Sequence, residues 1–370
     1  LETKRYWIAL NMVPGVGAVT YRKLLNAFGS QEHVFSASAH LLTSIPGINA
    51  KIARNILNFG FPDVVKKELA AIEKQHVHVI TYQDDEYPER LKTIFDPPPI
   101  LYLKGNLLQQ HEVIVAVVGS RKASTYGRTI AENLCREFAL KGVTVISGMA
   151  RGIDSRAHRG SLKAGGRTIA VLGCGVDVIY PPENAQLYHE IVEQGAVISE
   201  FPMATKPDRG NFPARNRVIS GMSLGTVVVE AGIRSGALIT ADMALEQGRD
   251  VFAVPGNISS ASSKGTNRLI KQGAALIEHA DDVLNALPLE ISQELQGRQQ
   301  EFLFDQKHPS LPALTQDEQH LFNCIEQHPL HIDEITVRSH LPSGKVSALL
   351  MMLEMKNVIR QIAGKMFLRV

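Results

Sequence analysis

Glycine and arginine stand together where several apolar runs of this 370-residue chain end. The run 113–118 leads into Gly-Ser-Arg-Lys at 119–122, and the run 143–147 leads into Gly-Met-Ala-Arg at 148–151. A glycine turn leaves backbone N–H groups accessible, and a guanidinium pairs well with phosphate oxygens. These residues therefore predict a phosphate-binding edge. The phosphate belongs to a cofactor, a small substrate or a nucleic acid strand.

Four more apolar runs end in related turns, at 173–175, 200–202, 230–236 and 255–257. Five of the six run ends carry glycine, and Arg121, Arg151 and Arg234 stand beside three of them. The carboxyl ends of parallel strands meet at one edge of a sheet, so we expect the three arginines at one rim. Glycine in any single turn is ordinary βα geometry, but that does not explain three arginines at the same rim.

The sequence lacks the two common nucleotide-cofactor motifs. No GxGxxG follows the first run, and no acidic residue ends the second, where a dinucleotide site binds ribose. No GxxxxGK[ST] is present either. We therefore expect no bound cofactor. Three distant cysteines, Cys135, Cys174 and Cys324, predict neither a zinc site nor a disulfide framework.

The segment 205–217 combines cations with one aromatic residue. Four cations, at 206, 209, 215 and 217, surround Phe212. Pro207, Gly210 and Pro213 predict a surface loop, with a helix beginning near Val218. An exposed ring among cations is typical of single-strand binding, where bases stack while phosphates pair. The alternative is a Phe212 ring packed in the core, with one of the arginines in a structural ion pair.

Acid–base residues near these turns do not form a recognisable catalytic set. Asp154 and His158 are four residues apart, so both can share one helix face. No nucleophile or metal-ligand set accompanies them, and Asp154 fits the N-cap of a helix better. Glu230 stands at a strand end. A carboxylate there either acts in catalysis or forms a buried ion pair with Arg215 or Arg234. We therefore expect no enzymatic activity.

The turns require a scaffold in which strands and helices alternate. Strands are predicted at 113–118, 143–147, 168–172, 196–199, 226–229 and 251–254. Nearly continuous apolar strands separated by helical periodicity predict a parallel sheet covered on both faces. We therefore predict an α/β fold with a Rossmann-like, doubly wound, mainly parallel sheet at 81–287. Three prolines at 97–99 exclude a helix from its lead-in, 81–112, and feed a strand at 100–103.

Smaller units flank this domain. Residues 1–80 predict a small helical domain of the SAM or helix-hairpin-helix type, because Pro-Gly turns at 13–17 and 45–49 each precede a helix that opens with a cation. Such a turn binds DNA phosphate, or it merely joins two helices. Residues 288–314 predict a linker. Residues 315–370 predict a winged-helix domain with three helices and a two-stranded wing.

Charge differs among these units. Residues 1–80 carry a net charge of +4, residues 113–280 carry +5, and residues 315–370 carry none. A positive excess permits a polyanionic partner. The third helix of the winged-helix unit offers only Lys345 and Lys356, which favours protein contact or packing over DNA binding. Without an apolar stretch of spanning length or a signal peptide, we expect a cytoplasmic protein with no membrane contact.

Four motifs in sequence order resemble the DNA-processing protein A family, DprA, also called Smf. They are VGSR at 118–121, SGMARGID at 147–154, PARNRVISG at 213–221, and SGALITA at 235–241, the last continuing through ALEQGR at 244–249 to VPG at 254–256. The flanking units match the longer architecture of the family. The resemblance implies a homodimer, formed through the Rossmann-like domain, that binds single-stranded DNA during natural transformation. It also implies protection of that strand and loading of the recombinase RecA onto it.

The resemblance also implies roles for individual residues. Gly119, Ser120 and Arg121 hold backbone phosphate, Arg209 does so from the 205–217 segment, and Phe212 stacks on a base. The complete set of predicted DNA-binding residues is Gly119, Ser120, Arg121, Lys122, Gly148, Arg151, Lys206, Arg209, Phe212, Arg215, Asn216, Ser235 and Gly236.

One alternative is an enzyme. The central domain is also similar to the nucleotide phosphoribohydrolases once labelled lysine decarboxylases, which share the Rossmann-like fold and use a strand-end Glu. Their PGGxGTxxE motif is only partly preserved at 224–230, where the sequence is LGTVVVE. This departure weakens the enzyme alternative.

Overall fold

The computed structural model describes residues 1–59, 61, 63–107, 113–288, 314–325, 330–356, 358–362 and 364–369. The chain divides into two compact units, Leu1–Gln299 and Gln300–Val370. The predicted linker, 288–314, lies outside the described residues except at its two ends.

Nine strands of the first unit form one sheet. They are β1 (His78–Thr81), β2 (Ile100–Gly105), β3 (Ile114–Val118), β4 (Thr144–Ser147), β5 (Thr168–Val171), β6 (Ala196–Ser199), β7 (Gly225–Val228), β8 (Asp250–Ala253) and β9 (Ala275–Leu276). Their order across the sheet is β1-β2-β6-β5-β4-β3-β7-β8-β9. The pairs from β6 to β9 are parallel, whereas β1 and β2 pair antiparallel with their neighbours. The predicted mainly parallel sheet is confirmed, with the six predicted strands displaced by at most one residue.

Helices cover both faces of this sheet. They are α7 (Glu89–Lys92), α8 (Thr125–Leu140), α9 (Ile153–Lys163), α10 (Ala185–Gln194), α11 (Asn211–Met222), α12 (Gly236–Glu246), α13 (Lys264–Lys271) and α14 (Ala280–Ala286). Alternate residues of β3 enter different cores because successive side chains of a strand point to opposite faces. Val115 and Val117 pack with α8, α9 and α14, whereas Ala116 and Val118 pack with α7, α11, α12 and α13. This double coverage explains why the strands are apolar throughout.

The N-terminal helices pack against the β1–β2 edge of the sheet. They are α1 (Arg5–Met12), α2 (Ala18–Phe28), α3 (Gln31–Ser36), α4 (Ala39–Thr43), α5 (Ala50–Leu57) and α6 (Asp63–Lys74). Trp7, Leu24 and Ile56 share one core with Ile100 and Tyr102 of β2. The first eighty residues are therefore continuous with the sheet through a common apolar core.

The two Pro-Gly turns of this region contact each other's helices. Gly15 and Gly47 adopt φ values of +90° and +94°, which only glycine adopts without strain. Asn55 of α5 donates to the Pro14 carbonyl at 2.8 Å, and Lys23 of α2 donates to the Pro46 carbonyl at 2.9 Å. These contacts account for the turns as packing elements. DNA binding by the turns stays a prediction.

The second unit has the predicted winged-helix elements. Its helices are α15 (Gln316–Asn323), α16 (Ile332–Ser339) and α17 (Ser343–Met355), and its strands are β10 (Leu330–His331), β11 (Ile359–Ile362) and β12 (Met366–Arg369). Thr315 caps α15 in a capping box, in which its hydroxyl accepts from the Glu318 N–H and the Glu318 carboxylate accepts from the Thr315 N–H. The short strand β10 pairs with β12 and was not predicted. Across the described residues, no helix combines the length and apolarity needed to cross a bilayer.

Candidate nucleic-acid interface

The first arginine turn lies where the direction of chain connection across the sheet reverses. β3 pairs with β4 on one side and with β7 on the other. Connections leave such a point in opposite directions, which opens a crevice at the carboxyl ends of the strands. The crevice is a cavity of about 570 Å³. Eight of the predicted residues line it: Gly119, Ser120, Arg121, Lys122, Arg215, Asn216, Ser235 and Gly236.

A second cavity, of about 200 Å³, shares Arg121 and Lys122 with the first. It lies at the ends of β4 and β5 and brings in three more predicted residues, Gly148, Arg151 and Phe212. We refer to the two cavities together as the carboxyl-edge site. The last two predicted residues, Lys206 and Arg209, are exposed on the connection between β6 and α11, and neither lines these cavities.

The turn at 119–122 is held from inside the protein. A Cβ on Gly119 would lie 2.5 Å from Cγ1 of Ile153, so packing already requires glycine there. The Ser120 N–H donates to the Glu230 carbonyl at 2.7 Å, and the Lys122 N–H donates to Ser120 Oγ at 3.1 Å. The prediction of bare N–H groups is therefore wrong for these two residues. The side chains of Arg121 and Lys122 are exposed.

Phe212 occupies the first turn of α11. The predicted loop through 217 and helix start near Val218 are wrong, because α11 begins at Asn211. Pro213 is compatible with this start, since N–H groups of the first helical turn lack partners within the helix. The Phe212 ring is half-buried and lies 5.9 Å from the Tyr180 ring, measured between centroids. The ring is therefore neither fully exposed nor packed in the core, the two alternatives that the sequence offered.

Arg121 lies over this ring. Its guanidinium carbon is 4.9 Å from the centroid of Phe212, within the range of a cation–π contact. Gly173 admits the ring from the side of β5, because a Cβ there would lie 2.9 Å from Cδ1 of Phe212. A cation and an aromatic face are thus juxtaposed at the junction of the two cavities. This pair provides the two chemical groups that a nucleotide requires, a phosphate partner and a stacking surface.

Arg215 differs from Arg121 in its environment. It is 4% exposed, and its guanidinium donates to the Gly148 carbonyl at 2.7 Å and to the Val171 carbonyl. A Cβ on Gly148 would lie 2.5 Å from Nη2 of Arg215, so Gly148 makes room for this side chain. Burial lowers the pKa of Arg215 to about 10. Arg215 therefore ties the end of β5 to the turn after β4. DNA binding by Arg215 and Gly148 stays a prediction.

Arg151 has a partner at the surface. Its guanidinium makes a two-pronged ion pair with Glu183, with Nη2 and Oε2 3.1 Å apart and a second contact between Nε and Oε1. Both side chains are at least half exposed. Solvent screens an exposed pair of this kind, so a phosphate can compete for the arginine.

Three other predicted residues have local roles. Ser235 caps α12, its Oγ accepting from the Ala237 N–H at 3.3 Å. Gly236 faces open space, because a Cβ there would meet no atom within 4 Å. Asn216 accepts from Nε of Arg215 at 3.1 Å. Ser235 and Gly236 therefore leave the cavity open on the α12 side.

The acidic residues near the site are also accounted for. Asp154 lies in the first turn of α9, whose N-cap is Gly152, so the predicted N-cap role is wrong. Its carboxylate accepts from the Ala150 N–H at 3.3 Å and lines the larger cavity. Burial raises the pKa of Asp154 to about 6, although Arg215 opposes the shift. His158 contacts Thr168 Oγ1 at 2.7 Å, and burial lowers its pKa to about 3.

Glu230 is 2% exposed and binds the start of α8. Its carboxylate accepts from the Ser124 N–H at 3.1 Å and from the Ser124 hydroxyl. It therefore pairs with neither Arg215 nor Arg234, contrary to the sequence prediction. Glu230 is not one of the described residues that line the two cavities.

Tyr180 is a site residue that sequence reasoning missed. It stands in the β5–α10 connection, 32 positions before Phe212, and no spacing rule relates the two. The only signal was Tyr180-Pro181-Pro182, an aromatic residue held by prolines near a strand end. Asp154 was noticed, but not as a carboxylate facing the same cavity as the arginines.

Comparison with known proteins identifies the family of this chain. A family model described as DNA recombination-mediator protein A matches residues 78–288. The chain belongs to this family. Two further models match the flanking regions: a SAM-like helix-hairpin-helix tandem at 8–59 and a DprA winged helix domain at 305–365. The resemblance read from the sequence is thereby confirmed at the level of family and fold.

Relatives within the family extend over most of the chain. Protein Smf of Synechocystis sp. is 35% identical, covering 98% of this chain and 98% of that protein. The X-ray structure of DNA processing protein A from Streptococcus pneumoniae has a TM-score of 0.68 at 36% identity, covering 77% of this chain and 98% of that one. A structure of the Helicobacter pylori protein, at TM-score 0.50 and 28% identity, covers 62% and 98% and concerns that protein's single-stranded DNA binding mode.

Proposed function

We propose that this protein binds single-stranded DNA at the carboxyl-edge site. The observation that carries the proposal is the position of Arg121, an exposed cation 4.9 Å from the Phe212 ring at the junction of the two cavities. Membership of the DNA recombination-mediator protein A family and the single-stranded DNA binding mode described for the Helicobacter pylori relative support it.

In the proposed complex, Arg121 exchanges one partner for another. Its guanidinium leaves the Phe212 ring and pairs with a backbone phosphate, and a base stacks on the face that it vacates. Stacking contributes about 1–3 kcal/mol per base, more than the roughly 0.5–1 kcal/mol of an exposed cation–π contact. Lys122 adds a second cation beside the first. Ser235 and Gly236 border the strand, and the Gly236 position lets the backbone approach α12 closely.

The remaining predicted contacts are peripheral in this proposal. Arg151 joins by exchanging Glu183 for phosphate, and Lys206 and Arg209 contact the strand outside the cavities. Arg215, Asn216 and Gly148 act indirectly, by holding the ends of β4 and β5 in register. Gly119 and Ser120 position the turn rather than supply its charge.

We further propose that the protein acts in the cytoplasm during natural transformation, where it protects the strand and passes it to the recombinase RecA. A protein that holds DNA through phosphates and stacking leaves most base edges available, as a recombinase requires for pairing. No enzymatic step is part of this proposal.

We propose that two copies pair through the outer edge of β9. In the described part of the sheet no strand covers that edge. Leu276 is 50% exposed there, and Ile258 is 88% exposed. Both line a cavity of about 530 Å³ together with Ile270. An uncovered strand edge with apolar side chains is a typical pairing surface. Sedimentation equilibrium should give a dimer for the wild type and a monomer for Leu276→Arg.

Fluorescence anisotropy with single- and double-stranded oligonucleotides of equal sequence tests the main proposal. We expect tighter binding of the single strand, and Arg121→Ala should weaken it. Arg136→Ala is the matched control, because Arg136 is an exposed cation on α8 that lines neither cavity. Equal affinity for the two DNA forms, or equal loss in both variants, would contradict the proposal.

The enzyme alternative has a separate test. Incubation with nucleoside monophosphates should release no free base above a protein-free control. Base release that Glu230→Gln abolishes would establish the phosphoribohydrolase alternative instead.

A further inference from the structure

A second group of arginines and an exposed ring lies outside the carboxyl-edge site. Phe95, between α7 and β2, is 76% exposed, more than any other aromatic side chain in the described residues. The guanidinium carbon of Arg22 lies 5.7 Å from the centroid of its ring. Arg90 of α7 and Arg249, which directly precedes β8, stand beside the same segment. We call these four residues the Phe95 patch.

Phe95 is exposed because its neighbours are anchored, not because the segment is loose. Leu91 and Ile94 are buried against α11, where a Cβ on Gly221 would lie 3.0 Å from Leu91 and 2.9 Å from Ile94. Asp96 pairs with Arg217 at 3.0 Å. A rigid segment that turns a large aromatic ring outward presents a preformed contact surface, which lowers the entropic cost of binding.

Arg90 and Arg249 are neighbours, and neither has an acidic partner among the described residues. Nη2 of Arg249 donates to the Arg90 carbonyl and to Thr93 Oγ1, both at 3.0 Å, which fixes Arg249 against α7. Its Nε is buried and has no hydrogen-bond partner. Within the described residues, neither arginine forms an ion pair, and the nearby carboxylates of Glu89 and Asp96 are taken by other cations.

The guanidinium groups of Arg90 and Arg249 are close enough to repel each other. Burial lowers the pKa of both arginines, and Arg249 lowers the pKa of Arg90 further by charge repulsion. A pair of half-buried cations without a counter-charge favours an anion that accepts several hydrogen bonds at once. Phosphate has this property, and its oxygens match the planar donors of arginine.

From this arrangement we infer that the Phe95 patch is a second contact point for single-stranded nucleic acid. Arg90 and Arg249 hold one backbone phosphate, and a base stacks on Phe95 beside Arg22. The inference rests on the proposed function, because the strand that reaches the patch is the one held at the carboxyl edge. An acidic protein segment would also pair with the arginines, but it would make no use of a flat aromatic surface.

Helix α11 sets the distance between the two sites. Phe212 lies in its first turn, and Gly221, which contacts the Phe95 segment, lies in its last. Twelve residues of α-helix span about 18 Å. A strand must therefore extend several nucleotides beyond the carboxyl-edge site before it gains the second contact. The patch should affect long oligonucleotides and leave short ones unaffected.

A length series of oligonucleotides tests the inference on the full chain. We expect Phe95→Ala and Arg90→Ala to bind a strand of about 6 nucleotides like the wild type, and to bind one of about 30 nucleotides roughly five- to tenfold more weakly. A single stacked base or charge-assisted contact has about this effect. The matched control is Lys92→Ala. It removes a cation of the same helix, but one that already pairs with Glu89. Arg249→Lys retains the charge without the fork and should also weaken the long complex.

The outcomes separate this inference from the proposed function. If the wild type binds no single strand, or if Arg121→Ala has no effect at any length, the carboxyl-edge proposal fails. If Arg121→Ala weakens every length while Phe95→Ala and Arg90→Ala match Lys92→Ala at every length, only the Phe95 patch is overturned. Competition by polyglutamate that depends on Arg90, with DNA affinity unchanged, would overturn it in favour of an acidic peptide.

Discussion

The carboxyl-edge site and helix α17 of the winged-helix unit are two positions at which α/β and winged-helix proteins meet nucleic acid, yet their chemistry differs. At the sheet edge, Arg121 and Lys122 are exposed and form no ion pair with any described residue. At α17, Lys345 pairs with Asp317 and the adjoining Lys356 pairs with Glu318, each at 2.7 Å. The exposed face of α17 carries Met351 and Met352, which are 65% and 48% exposed.

The difference between these two regions shows that the position of an element in the fold does not by itself make it bind a polyanion. Binding DNA releases counterions in proportion to the cations that reach phosphate. A lysine already neutralised by a neighbouring carboxylate contributes less to this release. The exposed cations without an ion pair are at the sheet edge, so we propose that this edge binds the single strand and that α17 serves packing or protein contact.

The largest expected effect separates the buried arginine of the edge from the exposed one. Arg215→Met should lower the free energy of unfolding by about 3–5 kcal/mol, because it removes one partner of a buried set that includes Asp154 and two carbonyls. Arg121→Met, the same substitution at an exposed position, should change it by less than about 0.5 kcal/mol. Chemical denaturation of both variants provides the measurement, and equal destabilisation would remove the distinction between them.

Arg121→Ala should produce the next largest effect, on binding rather than folding. Loss of a hydrogen-bonded charge contact to phosphate amounts to about 1.5–3 kcal/mol, which corresponds to at least a tenfold weaker complex. The slope of log affinity against log salt concentration should also become shallower by about 0.7, one phosphate's share for a single strand. Anisotropy titrations at several salt concentrations measure both quantities. An unchanged slope would mean that Arg121 does not contact phosphate.

Phe212→Leu should weaken single-strand binding by about 1–2 kcal/mol and leave the salt slope nearly unchanged, because stacking involves no counterions. Leucine retains apolar contact with Tyr180 and Gly173 but offers no flat ring. Phe212→Tyr, which keeps the ring, is the matched control and should bind like the wild type. A slope that falls as far as in Arg121→Ala would contradict the stacking role.

A change of pH should alter the affinity for single-stranded DNA less than the substitutions at Arg121 and Phe212 do. The pKa of Asp154 is about 6, so its carboxylate is mostly charged at pH 7.5 and mostly neutral at pH 5. Because a negative charge in the cavity repels phosphate, affinity should rise as the pH falls through 6. The effect should be about fivefold, since two unit charges about 4 Å apart in water interact by roughly 1 kcal/mol. Asp154→Asn should bind more tightly at pH 7.5 and lose this part of the pH dependence.

The smallest effect is expected at α17. Lys345→Ala should leave single-strand affinity within about twofold of the wild type and should not change the salt slope. The same titration measures it. A loss comparable to that of Arg121→Ala would erase the contrast between the two regions.

The scaffold of the site was predictable because its signals are local. A run of β-branched residues buried on both faces, as at Ile114–Val118, predicts a parallel strand wherever it occurs. The rim followed directly, since parallel strands place their carboxyl ends together. Arg121, Arg151 and Arg234 were therefore expected at one rim, and all three line the two cavities.

The individual roles were less predictable because they depend on packing between distant segments. Nothing local distinguishes Arg215, which is buried beneath carbonyls of β4 and β5, from the exposed Arg121. Pro213 indicated a loop, whereas it occupies the first turn of α11, where a missing N–H is tolerated. The role of Glu230 depends on its contact with Ser124, more than a hundred positions earlier. The position of the Tyr180 ring depends on the path of the β5–α10 connection. Such contacts are set by the tertiary fold and leave no periodic trace in the sequence.

Photocrosslinking of a short single-stranded oligonucleotide that carries iodouracil tests the central claim most directly, because it reports the bound position without altering the protein. Peptide mapping should place the crosslink on Phe212 or the adjacent Tyr180, and an excess of unlabelled single strand should suppress it. Crosslinks confined to α17 or to the N-terminal helices, with none at the sheet edge, would contradict the account.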